Sequence, residues 1–258
     1  MRNSAHLVDG SCQRDWFAVC SVVEHLLGII KATKPTVTRA TLRSDEARCY
    51  HNNNLIVGIR DVSERTGIQI SRYDFSEPQY GKDVCDRMLC PMKTTIQRYC
   101  NEGHDVLLAR DTYAALSERP VKGTSVCVCS IRQKYENLQV NKIDGFSKYH
   151  NFMYEEKGVR VWKVFEVGPG KLIVYDQLYN AHQGPTSLSV QGEFFPFDSA
   201  AIVSPCFLSE SLPKKWMPSL SVRSPAGEKC SRSLVSWSFI LMLEITTIEN
   251  PMKLPTTN

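Results

Sequence analysis

From residue 16 to residue 103 the spacing of apolar positions switches back and forth between helical and strand period. Over 16–32, Trp16, Val19, Val23, Leu26 and Ile30 recur at three-to-four spacing, and Phe17, Cys20 and Leu27 add a second apolar row. That pattern predicts a helix buried on much of its circumference against a sheet, closed by Pro35. "TVTRATLRSD" is short and β-branched, a strand pattern. Leu55, Ile56, Ile59 and Val62 then return to helical spacing over 53–65, with Gly67 just past the end. "IQISRYDF" (68–75) alternates as a strand. A stripe of Cys85, Met88, Leu89, Met92, Ile96 and Tyr99 predicts a helix over 82–100 that Gly103 stops. Pro91 inside it predicts a kink or a restart, because its ring removes a hydrogen bond and clashes with the preceding turn.

Strands alternating with helices imply parallel pairing in an α/β sheet covered on its faces. A short helix over 111–118 and an apolar strand, "SVCVCSI", follow. The texture then changes: "GVRVWKVFEV", a "GPG" turn and "KLIVYDQL" read as a β-hairpin. Beyond residue 199 periodicity is lost and Ser and Pro accumulate. The expected organisation is an irregular N-terminus (1–15), a partial α/β domain (16–131), a β-rich region with a hairpin (132–198) and a poorly ordered tail (199–258).

Composition changes this picture little. With 258 residues, 42% hydrophobic and 22% charged, the chain can bury a sizeable core. A net charge of +4 and a pI near 8.5 permit a nucleic-acid partner. The ten cysteines are scattered and include no C-x-x-C pair. They read as buried thiols in a reducing compartment, since a zinc site would have to be assembled from scattered Cys and His. The apolar runs "WFAVCSVVEHLLGII" and "LVSWSFILMLEITTI" are short for a membrane span and carry Glu24 and Glu244. The expectation is an intracellular protein without a membrane segment.

Candidate chemistry lies in the carboxylates. Asp45 ends its strand, where ligands bind in parallel α/β sheets. Asp74, Glu77, Asp83 and Asp86 crowd the end of the next strand and the start of the next helix, where Asp83 and Asp86, three apart, share a face. Paired carboxylates from different elements suit Mg²⁺ or Mn²⁺, which activate water or a 3′-hydroxyl in phosphodiester transfer. The alternative reading is that Asp45 caps the following helix and Asp83 complements a helix N-terminus. "GKD" lacks the glycine run of a phosphate loop. Cys49 and His51, two residues apart, read as a structural pair.

The strings "LRSDEARCYHNN", "YDFSEPQYGKDVCDR", "IQRYCNEGHDV", "KIDGFSKYHNF" and "EFFPFD" resemble an animal protein family derived from mobile elements. Its core looks like an RNase H-like transposase or integrase domain. The resemblance covers roughly residues 16–198. It implies that Asp45 and Asp86 are catalytic metal ligands for Mg²⁺ or Mn²⁺, with Asp83 and Glu77 as further candidates. On that reading the partner is DNA, with Lys82 and Arg87 placed to contact phosphates and Lys163 and Lys171 as further nucleic-acid candidates on the β-rich region; the expectation also includes no small-molecule cofactor and an intracellular, nuclear setting. The chain departs from the family pattern twice. The fold's first acid belongs on an opening strand, yet Asp9 and Asp15 follow no apolar strand, so the chain reads as truncated and catalytically incomplete. Relatives continue into a Cys₂His₂ finger, whereas no histidine follows His182. The alternative expectation is a non-enzymatic nuclear binding protein. Its contact surface would be Lys142, Lys148, Lys157, Arg160, Lys163 and Lys171, interleaved with Phe146, Tyr149, Trp162 and Tyr175.

Overall fold

The computed structural model describes residues 3–8, 15–44, 46–76, 84–131, 139–181, 188–191 and 244–249. The helix over the first apolar stripe, α1 (Trp16–Thr33), starts where Asp15 Oδ1 accepts the backbone N–H groups of Phe17 and Ala18 at 3.1 and 3.0 Å. Two donors with no partner inside the helix are thereby satisfied. Its buried residues run from Phe17 through Val23 and include Leu27, so its N-terminal half is enclosed on most sides, while Trp16, Leu26 and Ile30 of the predicted stripe are half-buried.

Strand β2 (Val37–Ser44), helix α2 (Asn53–Thr66), strand β3 (Gln69–Phe75) and helix α3 (Val84–Asn101) follow. This is the order the periodicity predicts, and β2 and β3 pair in parallel. Leu55, Ile56, Ile59 and Val62 are fully buried, each stabilising the fold by about 1.5–3 kcal/mol. Gly67 ends α2 with φ +64°, a left-handed conformation that glycine adopts without Cβ strain. Helix α3 runs through Pro91 as one element.

Next come α4 (Ala109–Glu118), β4 (Thr124–Ile131) and β5 (Gln139–Val140), and then a 3₁₀ turn at Phe146–Lys148. Strands β6 (Asn151–Tyr154), β7 (Gly158–Trp162) and β8 (Lys171–Val174) follow, the last two forming the expected antiparallel hairpin. At Gly158 a Cβ would lie 2.2 Å from the Ile173 carbonyl oxygen, so the hairpin closes only around glycine.

The protein is a mixed α/β structure. Its larger sheet has the order β11–β2–β3–β6–β7–β8, in which β11 is Glu244–Glu249 and only β2–β3 is parallel. A smaller sheet pairs β4 in parallel with β1 (Asn3–Val8) and antiparallel with β10 (Leu188–Gln191). A short helix, α5 (Tyr175–Leu178), leads into β9 (Tyr179–Ala181), which pairs with β5. One apolar cluster joins α1, α2 and the inner face of the six-stranded sheet with Val8, Cys129 and Ile131 of the smaller sheet. A second packs α3 and α4 on the other face of the smaller sheet, through Met92, Ile96, Leu116, Val126 and Val128.

Three features differ from the expectation. Residues 3–8, expected to be irregular, form β1, whose Ala5, Leu7 and Val8 are buried. Residues 244–249, inside the segment expected to be poorly ordered, form β11 along β2. The six-stranded sheet also runs across the boundary drawn at residue 131, because β3 pairs with β6. The reason is common to all three: a strand edge presents unpaired backbone groups, and pairing satisfies them whatever the sequence distance.

Candidate functional site

The carboxyl ends of β2 and β3 are tied together. Ser44, the last residue of β2, lies beside Phe75, and its carbonyl accepts from both the N–H and the hydroxyl of Ser76, at 2.9 and 3.0 Å. Beneath them the Ser44 hydroxyl meets the Tyr73 hydroxyl at 3.0 Å. Full burial holds that phenol well above its usual range.

Asp45 follows Ser44 directly in sequence. Asp45, Glu77, Lys82 and Asp83, with the side chains of Asp86 and Arg87, lie outside the described residues. The cap of α2 is supplied by Asn52, whose side chain accepts from Asn54 N at 2.9 Å; the part of the capping alternative that falls on Asp83 lies outside the described residues. Asp15 is likewise spent as the cap of α1. Contrary to the expectation, a strand does lead to Asp9, but β1 belongs to the smaller sheet and does not neighbour β2.

Asp74 does not join a metal cluster with the described residues. It faces away from α2, with Oδ2 2.6 Å from Arg72 Nε in an ion pair poorly aligned for a hydrogen bond, while Oδ1 accepts from Asn151 Nδ2 at 2.9 Å. The Arg72 guanidinium in turn lies over the Phe165 ring, 4.4 Å from its centre. These groups line a shallow cleft with Thr41 and Arg43.

Two histidines and a glutamate occupy the sheet edge itself. His150, just before β6, contacts the Glu46 carboxylate through Nδ1, and its carbonyl accepts from Phe75 N at 2.8 Å. His51, just before α2, contacts the Tyr149 carbonyl through Nε2 at 3.0 Å. The His51 ring stacks on Phe146 at 4.5 Å, meets Phe75 edge-on at 4.8 Å and runs nearly parallel to His150 at 6.4 Å. Cys49, expected to pair with His51, is half-buried in the same turn. Sequence reasoning dismissed His51 and passed over Glu46 and His150. The available signal was His150 in "KYHNF", immediately before an alternating strand.

Lys163 and Lys171 are exposed where the β7–β8 loop leaves and rejoins the strands, as are Lys142, Lys148 and Lys157 elsewhere. The aromatic residues expected between them are engaged internally. Trp162 is buried and donates to the Gly168 carbonyl at 3.2 Å, Phe146 packs on His51, and Tyr175 lies against the Arg60 guanidinium. A stacking platform for bases needs open rings, which these three do not offer. Cys20, Cys127 and Cys129 are buried thiols outside any disulfide. Burial raises the Cys20 thiol, and a hydrogen bond with Cys129, with burial second, raises that of Cys127, which makes both unreactive. Among the described residues no three His, Cys, Asp or Glu side chains converge as a metal centre.

No protein-family profile, curated protein or solved structure matches the chain.

Proposed function

We propose that the chain is a transposase-derived, RNase H-like protein whose ancestral chemistry is metal-dependent strand transfer or nicking of DNA. One observation carries the reading. Asp45 follows the last residue of β2, at the carboxyl edge of a parallel pair flanked by helices, and the cap it could have supplied comes from Asn52. The order α1–β2–α2–β3–α3 and the motif strings around Asp45 and Asp86 support it. Asp45 and Asp86 would hold Mg²⁺ or Mn²⁺, which when bound supplies an activated water or 3′-hydroxyl. Two carboxylates leave such an ion mostly to its waters, which Mg²⁺ gives up reluctantly, so binding in this chain is weak and cleavage slight.

The test is a Mn²⁺ titration followed by electron paramagnetic resonance, with plasmid nicking in parallel. Weak Mn²⁺ binding that Asp45→Ala abolishes, with little nicking, is expected. Unchanged Mn²⁺ binding in Asp45→Ala would remove Asp45 as a ligand. Efficient Mn²⁺-dependent nicking would overturn the loss of activity.

A further inference from the structure

We propose that the cleft on the face of the six-stranded sheet turned away from α2 binds a backbone phosphate of DNA, gripped by Arg72. The identity of the ligand rests on the DNA reading above. The site itself is separate from the Asp45 metal reading, because it needs no cation.

Strand register brings the lining together. Thr41 and Arg43 on β2 lie opposite Arg72 and Asp74 on β3, and Asp74 lies opposite Asn151 on β6. Residues two apart on a strand share a face, and Phe165 from the β7–β8 loop closes one wall. All of them line a single cleft of about 310 Å³, so they face a common volume. That volume is within the range of ligand pockets. Lys163, two residues before Phe165, is exposed in the same loop. Arg43 precedes Asp45 by two residues, so the cleft adjoins the end of β2 on which the Asp45 reading rests.

Arg72 is positioned to grip an oxyanion. Its Nε lies 2.6 Å from Asp74 Oδ2, and its guanidinium lies over Phe165, 4.4 Å from the ring centre. Both contacts hold the guanidinium plane. Neither uses the edge formed by the two terminal nitrogens, which have no hydrogen-bond partner among the described residues. That edge takes two phosphate oxygens at once. Arg160, two strands away on the same face, is spent by contrast. Its Nε and one terminal nitrogen go to Glu155, and the other goes to the Pro169 carbonyl. Arg72 keeps 35% of its side-chain surface exposed and Arg43 is exposed, so a ligand can reach both. Charge then selects the ligand. Two arginines face one carboxylate in the cleft, and that carboxylate is already held by Arg72 and Asn151.

Binding of a fluorescein-labelled DNA duplex tests the site, measured in EDTA over a range of salt so that no metal contributes. Arg72→Gln should lower the affinity by about tenfold or more. It should also make log affinity against log salt shallower by about 0.9, the signature of one lost phosphate contact. Arg72→Lys keeps the charge but loses the two-pronged edge, so it should recover only part of the affinity. Asp74→Asn removes the carboxylate that competes for Arg72 and should tighten binding, a gain that a folding defect does not produce. Unchanged affinity and salt slope in Arg72→Gln would overturn the site, as would weaker binding in Asp74→Asn. Polyglutamate that competes as strongly as unlabelled DNA would reassign the cleft to an acidic protein and overturn the phosphate assignment. If the unmutated chain binds no DNA, the DNA reading falls with the site, whereas DNA binding that ignores Arg72 removes the site alone.

Discussion

The hydroxyls of Ser44 and Tyr73 meet 3.0 Å apart inside the core, across two parallel strands and directly below the candidate site. Tyr73 has no exposed surface, and Ser44 gives its hydroxyl the partner that water would otherwise supply. The contact fixes the height of β2 against β3, and with it the position of the edge carrying Ser44 and Ser76.

Ser44→Ala should therefore cost about 1–3 kcal/mol, since it leaves a fully buried phenol hydroxyl without its partner. The double variant with Tyr73→Phe should cost less than the sum of the two single variants, a coupling of at least about 0.5 kcal/mol. Urea unfolding of the two single variants and the double variant measures this. Additive losses would mean that the two hydroxyls do not interact.

His6 on β1 and His25 on α1 meet at 3.0 Å, Nε2 to Nδ1, in the interface between the smaller sheet and α1. Burial, and secondarily the charge of His25, pull His6 down to about 3, and burial also lowers His25. The unfolded chain, with histidines near 6.5, binds more protons than the folded chain between those values. Stability should hold above pH 6.5 and fall as the pH drops toward 3, by about 2 kcal/mol from His6 alone between pH 7 and pH 5. Unfolding midpoints across that range should show the slope, and His6→Gln should flatten it. A pH-independent midpoint would show that the pair is not buried neutral.

Strand β11 pairs with β2 over six positions, from Glu244 opposite Arg43 to Glu249 opposite Val37. Amides of residues 244–249 should therefore exchange slowly, with protection comparable to that of β2. Removing residues 199–258 should leave the β2 edge unpaired and increase self-association. Hydrogen exchange and light scattering check the two arms. Rapid exchange throughout 244–249 would contradict the pairing.

Local spacing alone was enough to reveal the order α1–β2–α2–β3–α3, the buried faces of α1 and α2, and the hairpin of β7 and β8. Each of those patterns lies within about twenty residues, where period reports directly on secondary structure and on which face is inward. The same spacing says nothing about which strand lies beside which. That β1 joins β4, that β3 continues into β6 and that β11 covers β2 were settled by edges seeking partners across the whole chain. The candidate site follows the same division. Asp45 reads from the sequence as an acid at a strand's end, and in the structure β2 ends at Ser44 while the cap of α2 is Asn52. Glu46 and His150 are 104 residues apart, and His51 and Tyr149 are 98 apart. Each looked unremarkable in its own segment. Only the antiparallel return of β6 along β3 sets those imidazoles beside the end of β2, because a strand begins where its antiparallel neighbour ends.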